Sequence, residues 1–148
     1  MHRRNFIFSI LSLMVLAPIS ALAEAINQLW NKAAFETTTL NEATQNLAIN
    51  NETVSQDIHI IAPDRAENGA IVQVEIKSSI VNTETIAILV EKNPTPLIAT
   101  FAFANGAEPF VITRIKMAET SDIKVIVKAG GQFFSNAKNV VVLENGCG

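Results

Sequence analysis

Residues 71–78 read Ile71-Val72-Gln73-Val74-Glu75-Ile76-Lys77-Ser78. Successive side chains of a strand point to opposite faces, so Val72, Val74 and Ile76 share one face and Gln73, Glu75 and Lys77 the other. This is the pattern of a strand with one side on a core and one in water. Residues 123–128 repeat it, with Ile123, Val125 and Val127 set against Lys124 and Lys128, although Ile126 interrupts the polar face.

Working outward, further β-rich runs cover Gln56–Ile61, Thr85–Val90, Ile98–Ala104, Phe110–Ala118 and Asn139–Leu143. Between runs stand Pro63-Asp64, Asn68-Gly69, Asn93-Pro94, Asn105-Gly106 and Gly130-Gly131. These residues fix φ or allow it to be positive, as turns require. About seven short strands with no helices between them predict a mainly all-β fold over residues 48–143, an antiparallel sandwich of immunoglobulin-like type. A small barrel is the competing architecture.

Composition agrees with one globular domain: 148 residues, 49% hydrophobic and 17% charged, too apolar for a disordered chain. The N-terminus reads differently from the rest. Arg3 and Arg4 precede an apolar run from Phe6 to Leu16, followed by Pro18, Ser20 and Ala21-Leu22-Ala23. A basic start, a short apolar run and an A-x-A site predict an export signal over residues 1–23, cleaved after Ala23. The run is shorter than the roughly 20 residues that span a bilayer, and no Cys follows it, so no membrane anchor is expected. The arginine pair with Asn5-Phe6-Ile7 resembles a twin-arginine signal. Residues 24–47 then place Ile26, Leu29, Trp30 and Ala33 on one helical face, which predicts a docking helix over about Ala25 to Ala34.

Losing Arg3 and Arg4 takes two positive charges from a chain of net −3, leaving it at −5. Such a chain has no electrostatic case for nucleic acid. His59 is the only histidine outside the signal, so no metal site of the His-rich or His/Cys type can be assembled, and no cofactor is expected. Asp57 and His59 lie two apart, on one strand face, and could couple as acid and base. With no nucleophile to join them, a partly exposed strand histidine beside a carboxylate is the better reading. Asn51-Glu52-Thr53 matches a glycosylation acceptor, which means little if this is a bacterial export protein. Gly130-Gly131 lacks the helix and lysine of a phosphate loop.

One feature of chemistry is left, the tail Glu144-Asn145-Gly146-Cys147-Gly148 behind the apolar run Val140-Val141-Val142-Leu143. A structural cysteine belongs in an apolar run; this one, the only Cys of the chain, is flanked by Gly146 and Gly148, which leave the backbone nearly unrestricted. Residues 144–148 therefore read as a flexible arm beyond the last strand. At about 3.3–3.6 Å per residue, Leu143 to Cys147 spans roughly 13–14 Å. Two readings follow: a covalent attachment point for a substrate, or a thiol that crosslinks chains in an exported interaction module.

At this point the chain resembles the SoxY family, the carrier proteins of thiosulfate oxidation. The resemblance runs through the twin-arginine-like signal, Ile61-Ala62-Pro63, Ala66-Glu67-Asn68-Gly69-Ala70-Ile71-Val72, Glu91-Lys92-Asn93-Pro94, Phe101, Thr113-Arg114-Ile115 and the tail. The family tail is Gly-Gly-Cys-Gly-Gly; here Asn145 replaces the first Gly and the sequence ends at Gly148. The resemblance implies a periplasmic, non-enzymatic carrier with an immunoglobulin-like fold. Its attacking thiol is Cys147, with Asn145, Gly146 and Gly148 as flexible neighbours. It also implies a heterodimer with a small β protein, SoxZ. A haem c protein would join thiosulfate oxidatively to the cysteine as an S-thiosulfonate, a dimanganese hydrolase would release sulfate, and a further dehydrogenase would oxidise the remaining sulfane.

Overall fold

The computed structural model of the chain describes residues 31–144. Among the described residues two helices, α1 (Lys32–Phe35) and α2 (Leu40–Asn46), precede the strands. The strands then follow in order: β1 (Thr53–Val54), β2 (Ile58–Ile61), β3 (Arg65–Asn68), β4 (Val72–Ser78), β5 (Thr83–Val90), β6 (Leu97–Ala102), β7 (Phe110–Ile115), β8 (Ser121–Ala129) and β9 (Gln132–Glu144). They form a six-stranded sheet in the order β1-β9-β8-β5-β6, with β3 also on β9, and a three-stranded sheet β2-β4-β7. The architecture is the immunoglobulin-like sandwich; two separate sheets exclude the barrel.

The alternation that opened the sequence reading is what joins the sheets. Val72, Val74 and Ile76 of β4 are at most 1% exposed and belong to one cluster with Ile86, Ile88 and Val90 of β5 and Ile123, Val125 and Val127 of β8. Each such side chain withdrawn from water contributes about 1.5–3 kcal/mol, which is why a one-residue slip of register is not tolerated. Gln73 and Lys77 point out.

Ile126, the residue that spoils the polar face of β8, has a second core of its own. It packs with Ala87 and Leu89 of β5, Leu97, Ile49, Ala34 of α1 and Ala43 of α2. Around Ile126 the large sheet is therefore covered on both faces, by the small sheet on one side and the helices on the other. Within the stripe Ile26, Leu29, Trp30 and Ala33, the first three lie outside the described residues. Ala33 is exposed, while its neighbour Ala34 is fully buried. The second helix went unread in the sequence. Thr39 is extended and its Oγ1 accepts a hydrogen bond from the Glu42 N–H at 3.2 Å, capping α2.

The last strand is longer than expected. β9 runs thirteen residues, Gln132–Glu144, through the polar stretch Ser135-Asn136-Ala137-Lys138 that precedes the expected start at Asn139. Those polar groups find partners: Asn136 Nδ2 donates to Ile58 O at 2.7 Å and Asn139 Nδ2 to Asp122 Oδ1 at 2.7 Å. β8 and β9 meet in a hairpin through Gly130 and Gly131, at φ +56° and +74°, the two left-handed positions a tight hairpin turn needs. At the other end of β7, Asn93 Nδ2 donates to Lys116 O and Asn93 Oδ1 accepts from the Ala118 N–H, both at 2.8 Å. That side chain replaces a ladder partner, and the strand expected to reach Ala118 stops at Ile115.

Candidate functional site

Asn145, Gly146, Cys147 and Gly148 lie outside the described residues. Their point of attachment does not. β9 is paired through Glu144, one residue beyond the expected end of the sheet, and how it is held there is visible bond by bond.

The holding strand is β3, which the sequence reading left as two turns. The chain passes along the free edge of β9 as β1, with Thr53 opposite Phe134 and Val54 opposite Ser135. It crosses to the small sheet as β2, antiparallel to β4, and returns as β3. There it runs parallel to β9, with Arg65 opposite Val141, Ala66 opposite Val142 and Asn68 opposite Glu144. The Val141 N–H donates to Asp64 O at 3.0 Å and the Gly69 N–H to Glu144 O at 2.9 Å. Beside the first of these, Lys138 Nζ is 2.9 Å from Asp64 Oδ1. The hydrogen bond and charge of Lys138 hold the Asp64 carboxyl below its ordinary range.

On the opposite edge, β8 begins at Ser121, which pairs with Val140. Val142 has no ladder partner there, and Thr120 supplies one with its side chain: the Val142 N–H donates to Thr120 Oγ1 at 2.9 Å. Leu143 is 53% exposed and Glu144 is exposed. From Glu144, covalent geometry lets Cys147 reach at most about 10–11 Å, three steps of chain. An open groove of about 490 Å³ lies at the same end of the sandwich, lined by Leu97, Ile98 and Ile115 with Arg114 and Lys116 at its rim.

The other sequence candidate does not assemble. Asp57 is in the turn before β2, its N–H donating to Ser55 Oγ at 3.2 Å and its Oδ2 accepting from Ser55 Oγ at 3.3 Å. His59 is exposed on the outer face of the small sheet, opposite Lys77 in register. No acid–base pair forms between them. Among the described residues no three His, Cys, Asp or Glu side chains gather as a metal site, and no helix is long and apolar enough to cross a membrane.

The comparisons with known proteins bear on this end of the molecule. The family model "Sulfur oxidation protein SoxY" matches residues 44–147, a span that begins in α2 and takes in Cys147. The chain belongs to the SoxY family. Among solved structures, the SoxY sulfur carrier protein of Chlorobium limicola f thiosulfatophilum matches with a TM-score of 0.64 and 33% identity, over 70% of this chain and 96% of that one. A superoxide reductase (neelaredoxin) from Ignicoccus hospitalis matches with a TM-score of 0.51 and 18% identity, over 70% and 92%; that likeness shows the sandwich fold alone. Among curated proteins no match is found. Within the SoxY match, the Glu67-Asn68-Gly69 segment that resembled the family in sequence is the end of β3 and the turn that meets Glu144. Thr120, on the other edge, was not singled out in the sequence.

Proposed function

We propose that this SoxY-family chain is a periplasmic carrier that holds sulfur intermediates of thiosulfate oxidation covalently on Cys147 and presents them to partner enzymes. The observation that carries the reading is the family match running to residue 147, where the chain has its only cysteine between two glycines. The likeness to a sulfur carrier protein at 33% identity supports it. The N-terminal sequence pattern supports export through a twin-arginine-type signal.

The chemistry suits a thiol and does not ask the sandwich for catalytic groups. Loading joins the Cys147 sulfur to the sulfane sulfur of thiosulfate. The thiol proton is released and two electrons leave to the haem c partner, which gives Cys–S–S–SO₃⁻. Water attack at the terminal sulfonate sulfur, on a dimanganese hydrolase, breaks its bond to the sulfane sulfur. Sulfate and a proton depart and a persulfide stays on the carrier. A dehydrogenase would oxidise that sulfane to a sulfonate, taking three oxygens from water, releasing protons and passing six electrons to its own acceptor, ready for a second hydrolysis. Thiolate character is required only at the loading step, and the partner's site can supply it. A SoxZ-like small β protein completes the carrier as a heterodimer.

The test is intact-mass spectrometry of the mature protein with its SoxZ-like partner, after incubation with the haem c partner and thiosulfate. The expected result is one thiosulfate-derived adduct on Cys147, removed by the hydrolase with release of sulfate and absent in Cys147→Ser. An adduct elsewhere, or none with a competent oxidising partner, overturns the reading.

A further inference from the structure

The Glu67-Asn68-Gly69 segment has no role in the sulfur chemistry, yet it makes the last described contact before the tail. Burial does little to hold β9 at this point. Val140 is fully buried and Val142 8% exposed, whereas Leu143 and Glu144 stand in solvent. What keeps the strand paired is hydrogen bonding from its two edges.

The turn after β3 is built to supply one of those bonds. Asn68 Oδ1 accepts the Ala70 N–H at 2.7 Å, closing an Asx-turn that sets the peptide planes on either side of Gly69. The Gly69 N–H is thereby aimed at Glu144 O at 2.9 Å, while Gly69 O accepts the N–H of Met117 at 2.8 Å. Met117 is fully buried in the main core. Gly69, through the two peptide units that flank it, thus ties the end of β9 to a residue locked between the sheets. Thr120 Oγ1 closes the other edge at Val142.

We infer that Asn68 and Gly69 are positioning residues that pin the root of the cysteine arm at Glu144, so that the arm swings from a fixed point with a fixed length. The inference rests on the reading of residues 145–148 as an arm. Released from this pin, Leu143 and Glu144 would join it, lengthening it from three residues to five. For a flexible chain the spatial spread grows as the square root of residue number, so it would rise about 1.3-fold. A carrier must deliver one sulfur atom to several active sites, and an arm of defined origin confines the thiol to a smaller volume and raises its local concentration there.

The test needs no thiosulfate, so its failure is separable from failure of the carrier reading. The mature protein carries nitroxides on Cys147 and on a second cysteine introduced by Gln132→Cys, at the far end of β9, and the inter-label distance distribution is measured by pulsed EPR. Asn68→Ala is expected to broaden the distribution about 1.3-fold and to raise exchange of the Gly69 amide at least about tenfold, with the Val127 amide unchanged. Asn68→Asp, which keeps the acceptor oxygen, restores both. An unchanged width with a protected Gly69 amide overturns the proposal, and so does broadening that Asn68→Asp fails to reverse. If Asn68→Ala does not fold, the unsubstituted sequence is read instead: a Gly69 amide that exchanges as slowly as that of Val127 supports the pin, and one that exchanges as freely as an exposed loop amide overturns it.

Discussion

Replacing Ile126 by Ala tests whether the helical layer is part of the folded body or an ornament on it. Ile126 is 2% exposed, and its surroundings are Ala34 of α1, Ala43 of α2 and the outward residues of β5. Truncation removes three carbons, a transfer loss of about 2.4 kcal/mol at ~0.8 kcal/mol per buried carbon. If the space left behind collapses by half, roughly 40 Å³ remains, adding about 1 kcal/mol at ~24 cal/mol per Å³. The total is about 3–3.5 kcal/mol. With a urea m-value of ~1.5 kcal/mol per M, the midpoint should fall by about 2 M with the slope unchanged. Far-UV circular dichroism during urea titration reads this directly. Val81→Ala, at an 80% exposed position, serves as the control and should change stability by less than ~0.5 kcal/mol. A loss below about 1 kcal/mol for Ile126→Ala would refute the reasoning, since it would mean that the helices do not exclude water from that face of the large sheet.

Three further outcomes are expected. Gly131→Ala forces a side chain into φ +74° and should cost about 1–2 kcal/mol, whereas Gly130→Asn, with a residue that tolerates this region, should cost less than half as much; thermal melts compare them. Lys124 Nζ forms an ion pair with Glu52 Oε1, and Glu52 Oε2 is buried without a partner among the described residues. Lys124→Met alone should therefore lose ~1–2 kcal/mol by stranding the carboxylate, and adding Glu52→Leu should recover most of it; a double-mutant cycle in urea measures both. The carboxyls of Asp64, Glu84 and Glu108 are each held below their ordinary range, by Lys138, Lys128 and Lys77 respectively. A carboxyl whose folded pKa is depressed adds stability that is full above its unfolded pKa and is lost as pH falls through the folded value. Urea midpoints should thus be level at neutral pH, decline below the ordinary carboxylate range, and decline less in high salt because none of the three pairs is buried.

Much of the sandwich was legible because its strands have one wet face. In β4 and β8 the period of two is carried by Val and Ile against Gln, Glu and Lys, and the structure buries the residues the pattern selects. The one misfit, Ile126, was a true signal of the second core, readable only if a layer outside the large sheet is supposed. α2 carried a usable sign in Thr39-Leu40-Asn41-Glu42, a Ser/Thr-x-x-Glu capping pattern, and Thr39 does cap the helix. The extension of β9 back to Gln132 had no such sign, since Asn136 is polar for the sake of a partner on β2. β1 and β3 were illegible for a different reason. At two and four residues, with Ala66 alone buried, they have no period to read.

The sequence by itself determined the sandwich, through alternation and turn residues, because side-chain direction in a strand and φ in a turn are local properties. It also singled out Cys147, through its position between glycines behind the last apolar run. How far the last strand stays paired was decided by the tertiary structure. Glu144 belongs to the sheet only because β3 returns along β9 in parallel and aims the Gly69 N–H at its carbonyl. That contact joins residues far apart in the chain, and a backbone hydrogen bond leaves no mark on the side chains by which a sequence is read.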